Sequence, residues 1–385
     1  MNNEFTNYGY YGAPRWNDFS IDDEIRAKKR FSRFFLAIFI YLIIANASAV
    51  IIQLLLTLAL GAEAASKLFS SYFFVWGSQM VCMYLLALPA FYLIVRGMRK
   101  TIRSKSKLSA SEFLIYFLIG QGLMTIGSFI ATILTNFYSS IFNYELSNTV
   151  SDMISDSPIW MITLVAVIIG PIVEEFIFRK LLMDKLGMYG DRIAIIVSAV
   201  AFGLFHGNLF QLFYAGLFGA LLAYVYSKTG NLLYPIVLHM LTNLFGSVIA
   251  LPFVKFSEEL LVMSEAVLEG AEVDMLRYSR LTIAVGAYSL VQYGLAIAGI
   301  VTLIRYIRRR RFFVSDRCEV LIPKEKRISI IIGNVGAILL MIMIGLTMVL
   351  SLLPQIPVVD IPAEQTTPGI SGDALLSMLF RRFNL

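Results

Sequence analysis

Glu174 and Glu175 lie in the apolar stretch Pro171 to Lys180, and Arg179 follows four residues after the second glutamate. The chain holds only two histidines, and each sits in a similar stretch: His206 closes Phe202-Gly-Leu-Phe-His206, and His239 opens His239-Met-Leu-Thr-Asn243. An ionisable group at bilayer depth costs roughly 2.5 to 3.5 kcal/mol on insertion scales, so residues of this kind in such surroundings point to function.

Each residue of an α-helix advances by about 100 degrees, so Glu174 and Glu175 cannot point the same way. Glu175 and Arg179 share a face in the favoured order for an ion pair. The spacing therefore predicts that Arg179 neutralises and orients Glu175, while Glu174 faces a different neighbour as a candidate base. Phe202 is one turn before His206, where its ring can restrict the imidazole. His239 and Asn243 are again four apart and project together, and both can donate hydrogen bonds to an oxyanion. Peptide hydrolysis needs an activated water, a proton acceptor that later protonates the amine, and stabilisation of the tetrahedral intermediate. A carboxylate, two imidazoles and a carboxamide supply those parts. Each residue also has a plainer role open to it: a structural charge network for the glutamates, packing for the histidines, an interhelical hydrogen bond for Asn243.

Glu174, His206 and His239 also match a catalytic zinc set of two histidines and one glutamate. No HExxH helix occurs, so the metal-free reading is favoured and zinc is the alternative. Gly369-Ile-Ser371-Gly372 has the GxSG form of a membrane serine protease, but it falls in a proline-rich tail. No GxGD aspartyl motif is present.

The elements that must position these groups follow from composition. Hydrophobic residues make up 58% of the 385 and charged ones 15%, which predicts an all-α fold, a polytopic transmembrane helical bundle. A spanning helix needs about 20 mostly apolar residues. Nine windows fit, at about 33–60, 70–95, 111–137, 158–182, 192–206, 209–227, 232–251, 282–305 and 328–353, giving eight to nine spans. The net charge of +6 does not indicate nucleic acid, because the basic residues cluster at span ends: Arg26 to Arg33, Arg96 to Lys107, Arg179 to Arg192 and Arg305 to Lys326. Placing these in the cytoplasm puts the amino terminus inside and the acidic linkers, Glu145 to Asp156 and Glu258 to Asp274, outside.

The expected organisation is a cytoplasmic polar and aromatic tail (1–32), amino-terminal membrane helices (33–157), a catalytic core (158–251), an extracytoplasmic linker (252–281), carboxyl-terminal membrane helices (282–353) and a mobile tail (354–385). The first 25 residues lack the apolar core of a cleavable signal peptide. The linker has apolar residues at helical intervals, which fits an amphipathic helix as well as a solvated linker. Ala215, Gly216, Gly219, Ala220 and Ala223 recur at the spacing that lets membrane helices approach closely. Cys82 in a span and Cys318 in a loop make no disulfide framework.

Taken in order, Glu174-Glu175-x-x-x-Arg179, Phe202-x-x-x-His206 and His239-x-x-x-Asn243 resemble the three signature motifs of the type II CAAX prenyl endopeptidases. This CPBP group also contains bacteriocin-processing and immunity proteins. The resemblance covers about 160–250. It implies an intramembrane endopeptidase of a bacterial plasma membrane, with a polar cavity open to the cytoplasm. Glu174 and His206 would activate water, His239 and Asn243 would hold the oxyanion, and Glu175, Arg179 and Phe202 would support them. The family is often labelled metalloprotease, although its motif residues can be read without a metal. The implied partners are the lipid bilayer and a protein or peptide substrate, lipidated in eukaryotic members. A non-catalytic immunity or scaffold protein that binds through the same cavity is the alternative function.

Overall fold

The computed structural model describes residues 19–352, apart from 145, 147–152, 156 and 315–317. The expectations for the amino-terminal tail, for most of the acidic segment 145–156 and for the proline-rich tail with Ser371 lie outside the described residues. Those described form helices and connecting turns with no strand among them. Eight helices are long and apolar enough to cross a membrane, so this is a polytopic helical bundle.

In chain order the helices are α1 (Ile21–Leu60), α2 (Ala62–Phe69), α3 (Tyr72–Val95), α4 (Ala110–Phe142), α5 (Ile159–Tyr189), α6 (Asp191–Phe205), α7 (Leu209–Thr229), α8 (Leu233–Leu268), α9 (Met275–Arg308), α10 (Arg327–Ile331) and α11 (Val335–Leu352). Capping chemistry sets their starts. Ser20 and Asp23 form a reciprocal capping box at α1, and Ser109 and Glu112 form another at α4, each satisfying two orphan N–H groups. The Asn208 carboxamide oxygen accepts from the Gln211 N–H to cap α7.

The window at 192–206 departs from the expected spans. Helix α6 has 15 residues, a rise of about 22 Å against a hydrocarbon core of about 30 Å. It is the ascending arm of a hairpin rather than a full-length span. The Ser227 hydroxyl of α7 donates to Asp191 at the foot of α6 (2.7 Å), and the chain reverses at His206-Gly207-Asn208, where Gly207 has φ +68°. Close backbone contact holds the arms together: a methyl at Gly203 would lie 2.6 Å from the Leu212 carbonyl oxygen. Helix α7 in turn packs on α4, α4 on α9, and α1 on α3 and α11.

The segment 252–281 is helical over most of its length. Helix α8 runs on to Leu268 and α9 begins at Met275. At 36 residues, α8 rises about 54 Å, well beyond the bilayer core, and Arg277 of α9 pairs with Glu259 of α8. A turn at Ile249–Ala250, followed by Pro252 in the first turn of Leu251–Leu268, sets this part of α8 off from the stretch that carries His239 and Asn243, so the segment holds a helix of its own.

The four basic clusters gather at one end of the bundle. Arg30 donates to the carbonyls of Arg99 (2.9 Å) and Lys185 (2.7 Å), Arg99 pairs with Glu319 (3.0 Å), and Lys326 pairs with Glu24 (2.7 Å). The loop between α3 and α4 is strapped to this end by Arg103, which reaches Asp184 (3.3 Å) and Asp191 (2.7 Å). Gly230, with φ +58°, ends α7 where no side chain fits, since a Cβ would meet the Ser104 carbonyl oxygen at 2.4 Å.

Candidate active site

Glu174 and Glu175 occupy the centre of α5, in a short α-helical piece (Gly170–Glu175) between two π-helical stretches, Thr163–Ile169 and Phe176–Met183. The expected Glu175 and Arg179 pair is present. Arg179 Nε lies 2.9 Å from Glu175 Oε2, and its terminal nitrogen donates to Oε1 at 3.3 Å. The first contact is an ion pair by distance without hydrogen-bond geometry. Both side chains are fully buried, where an unpaired charge would cost several kcal/mol. Arg179 also donates to the Ser198 hydroxyl of α6 (2.9 Å), which donates to the Phe178 carbonyl (3.0 Å).

The two glutamates project differently yet converge on a single imidazole. His239 of α8 places Nδ1 3.1 Å from Glu175 Oε1 and Nε2 3.8 Å from Glu174 Oε2. Because the two ring nitrogens lie on different edges, carboxylates with different directions can both reach them. Burial separates the two acids. Glu174 is 23% exposed and accessible to a water-sized molecule, whereas Glu175 is sealed.

Phe202 is the hub of the cluster. Its ring lies under the Arg179 guanidinium, 4.8 Å from centroid to charge, and meets the rings of His206 (5.0 Å) and His239 (5.7 Å) edge to face. Gly219 of α7 makes this possible, since a Cβ there would lie 2.8 Å from the Phe202 ring. His206 sits at the tip of the α6–α7 hairpin. Its Nδ1 lies 2.8 Å from the Phe202 carbonyl, an acceptor, so Nδ1 carries the hydrogen and Nε2 is left as a base. No direct hydrogen bond joins His206 to Glu174 or His239 among the described residues.

Asn243 makes the interhelical hydrogen bond open to it. Its amide donates across to the Ala166 carbonyl of α5 at 2.9 Å, a group offered by the π-helical stretch. The second amide hydrogen is not used in that bond.

A metal reading requires three donors around one point. Among the described residues no group of three His, Cys, Asp or Glu side chains is placed to hold an ion. Glu174, His206 and His239 are not gathered around one such point.

Sequence reasoning missed the tyrosines. Tyr84 of α3 brings its hydroxyl near Glu174, since a Cβ built on Gly170 would lie 3.7 Å from the one and 3.8 Å from Oε1 of the other, and the Tyr41 ring of α1 meets that of Phe205, the neighbour of His206, at 5.4 Å. Tyr41 and Tyr84, like Glu174, lie at the midpoints of their helices. Their aromatic character inside apolar spans offered no signal.

A multi-pass membrane bundle with carboxylates, imidazoles and a guanidinium clustered halfway along one helix is a class that known proteins share. Residues 156–245 match the family model described as type II CAAX prenyl endopeptidase Rce1-like. The chain is 30% identical over 176 residues to the Bacillus subtilis (strain 168) protein named "Putative membrane peptidase YdiL", covering 44% of this chain and 70% of that one. It is 38% identical over 86 residues to the "Membrane-embedded CAAX protease MroQ" of Staphylococcus aureus (strain USA300), covering 20% of this chain and 34% of that one. It is 27% identical over 134 residues to the "UPF0177 protein YxdF" of Lactococcus lactis subsp. lactis (strain IL1403), covering 34% and 75%. No solved structure matches. The chain belongs to the Rce1-like type II CAAX prenyl endopeptidase family, a family of membrane proteases.

Proposed function

We propose that this chain is an intramembrane endopeptidase that hydrolyses a peptide bond with a water activated by Glu174. The accessible carboxylate takes a proton from that water, and the hydroxide adds to the scissile carbonyl. His206, with Nε2 free, receives a hydrogen bond from the same water. The carbonyl π electrons move to oxygen, and the oxyanion is met by N–H groups of His239 and Asn243. In this step His239 donates from Nδ1 to Glu175 and from Nε2 to the oxyanion. The intermediate collapses as the C–N bond breaks, and the proton held on Glu174 passes to the leaving amine. Arg179 and Glu175 hold the His239 ring in place without touching substrate.

The observation that carries this reading is the meeting of Glu174 and Glu175 of α5 with His239 of α8 at 3.8 and 3.1 Å, groups from two separate motifs. Glu174 lies at mid-helix, which supports a protein or peptide substrate that enters from the membrane. The CAAX substrate class named for MroQ is the first class to try.

The test compares the peptides released from membranes that contain the parent protein with those from membranes that contain Glu174→Ala or Glu174→Gln. Peptides that disappear in both variants, while insertion and folding are unchanged, are the expected result and name the substrates. An identical peptide set in all three removes Glu174 as the base and with it the protease reading.

A further inference from the structure

Four π-helical stretches occur among the described residues, at Met80–Ala87, Thr163–Ile169, Phe176–Met183 and Leu244–Val248. Such stretches are uncommon and favour functional sites. Three of them serve the cluster already described. Thr163–Ile169 supplies the Ala166 carbonyl to Asn243, Phe176–Met183 carries Arg179, and Leu244–Val248 follows Asn243 directly, with Ser247 donating to the Asn243 carbonyl (2.6 Å). The fourth lies on α3, far outside the residues that match the family model. It contains Tyr84.

Tyr84 in this stretch faces the site. A methyl group built on Gly170, at the start of the short helical piece that bears Glu174, would lie 3.7 Å from the Tyr84 hydroxyl and 3.8 Å from Glu174 Oε1. Both oxygens therefore border one small space, which the Val165 carbonyl oxygen also meets at 3.1 Å, and the missing side chain of Gly170 keeps it open. No direct hydrogen bond joins them among the described residues. Polar groups that border one space without touching are commonly joined by a water, whose hydrogen bonds are nearly as favourable as direct ones.

We infer that Tyr84 is a positioning residue of the active site, whose hydroxyl holds Glu174 Oε1 through a single water in the space beside Gly170. The inference rests on the proposed role of Glu174 as base. A phenol can donate to the bridging water, which donates to Oε1 and leaves Oε2, the oxygen that faces His239, for the water that attacks. No covalent step is assigned to Tyr84.

Two substitutions test this by different routes. Tyr84→Phe removes the hydroxyl, and Gly170→Ala fills the water's space while leaving the hydroxyl in place, with the Val165 carbonyl oxygen, 3.1 Å from the new methyl, giving by a few tenths of an ångström. Each should slow the release of Glu174-dependent peptides by about 10- to 100-fold, the range for a hydrogen bond to a charged group. The double variant should be no slower than the slower single. Infrared difference spectra between each protein and its Glu174→Gln counterpart isolate the Glu174 carboxyl band. That band should move in Tyr84→Phe and in Gly170→Ala, and a purely structural role would leave it in place. An unmoved band in folded Gly170→Ala, or a double variant slowed by the product of the single effects, overturns the inference. If no peptide depends on Glu174, the protease reading fails by itself. The infrared comparison then still decides whether Tyr84 and Glu174 share a water, and Gly170→Ala decides it where Tyr84→Phe does not fold.

Discussion

His239 Nδ1 lies 3.1 Å from Glu175 Oε1, and Arg179 grips the other oxygen of the same carboxylate at 2.9 Å. Glu175 thus joins a fixed cation on its own helix to an imidazole on another, with no exposure of its own. Glu174, one residue earlier, touches the same imidazole from its other edge and is open to water. Adjacent acids in one helix have been given separate work: one holds the ring and the other is available for chemistry.

That division predicts that removing each acid costs stability very unequally. Glu175→Ala leaves Arg179 buried without its counter-charge, a change that costs about 3 to 5 kcal/mol. Glu174→Ala removes a partly exposed group with no fixed cation and should cost about 1 kcal/mol or less. Thermal unfolding in detergent should show a large drop in midpoint for Glu175→Ala and a small one for Glu174→Ala, while both lose peptide release. Equal midpoints would mean that Arg179 does not depend on Glu175.

The contact between Gly219 and Phe202 predicts a graded loss of function. Adding a methyl 2.8 Å from the ring forces Phe202 away from its position among Arg179, His206 and His239, at a typical overpacking cost of about 1 to 3 kcal/mol. Gly219→Ala should reach the membrane and slow peptide release. Phe202→Leu on that background should recover stability, because the smaller side chain yields to the methyl, but not activity, because both imidazoles lose their ring contact. Recovery of full activity in the double variant would show that the ring does not orient the histidines.

Much of this cluster was legible in the chain because charged groups inside apolar runs are rare enough to stand out, and a spacing of four marks a shared helix face. Glu175 with Arg179 and Phe202 with His206 follow from that rule. The convergence of Glu174 and Glu175 on His239 does not, since it depends on how α5 meets α8. The π-helical stretches were also hidden. They have no compositional mark, and the i to i−5 bonds that define them arise when neighbouring helices hold a carbonyl or side chain out of register. Tyr84 was invisible for that reason: its helix reads as one more apolar span. The count of nine windows erred at α6 for the opposite reason. An apolar run of 15 residues looks like a short span until Asp191 is found beside Ser227.

Arg103 predicts a failure of architecture rather than of chemistry. Its side chain is nearly buried and bridges Asp184 of α5 and Asp191 of α6, and the Tyr226 hydroxyl of α7 donates to the same Asp184 (2.9 Å). Arg103→Ala removes the guanidinium the two carboxylates share, but Asp184 keeps Lys180 at 2.7 Å and Asp191 keeps the Ser227 hydroxyl, so the cost is about 1 to 3 kcal/mol. Limited proteolysis should cut the segment between α3 and α4 faster in this variant than in the parent. The folded fraction should release peptides at the parent rate, because no group within reach of Glu174 has changed. Arg103→Lys, which can pair with only one aspartate well, should fall between the two. Unaltered cleavage in Arg103→Ala would show that the strap is held by its backbone bonds alone.

Asn243 separates a structural from a chemical role by the sign of two substitutions. Its amide donates to the Ala166 carbonyl at 2.9 Å, so Asn243→Ala leaves that carbonyl unpartnered at about 1 to 3 kcal/mol. Asn243→Asp keeps the shape but, when ionised, offers an acceptor where a donor is needed and sets a carboxylate against the Ala166 carbonyl. It should be the less stable of the two. If the second amide hydrogen also meets the oxyanion, Asn243→Gln will not rescue activity, because the longer side chain cannot hold both partners at once, and Asn243→Ala will slow peptide release by about 100-fold or more. Unfolding midpoints together with release rates distinguish the cases. A variant that loses stability and keeps its rate would leave Asn243 with the interhelical bond only and His239 as the sole side-chain donor to the oxyanion.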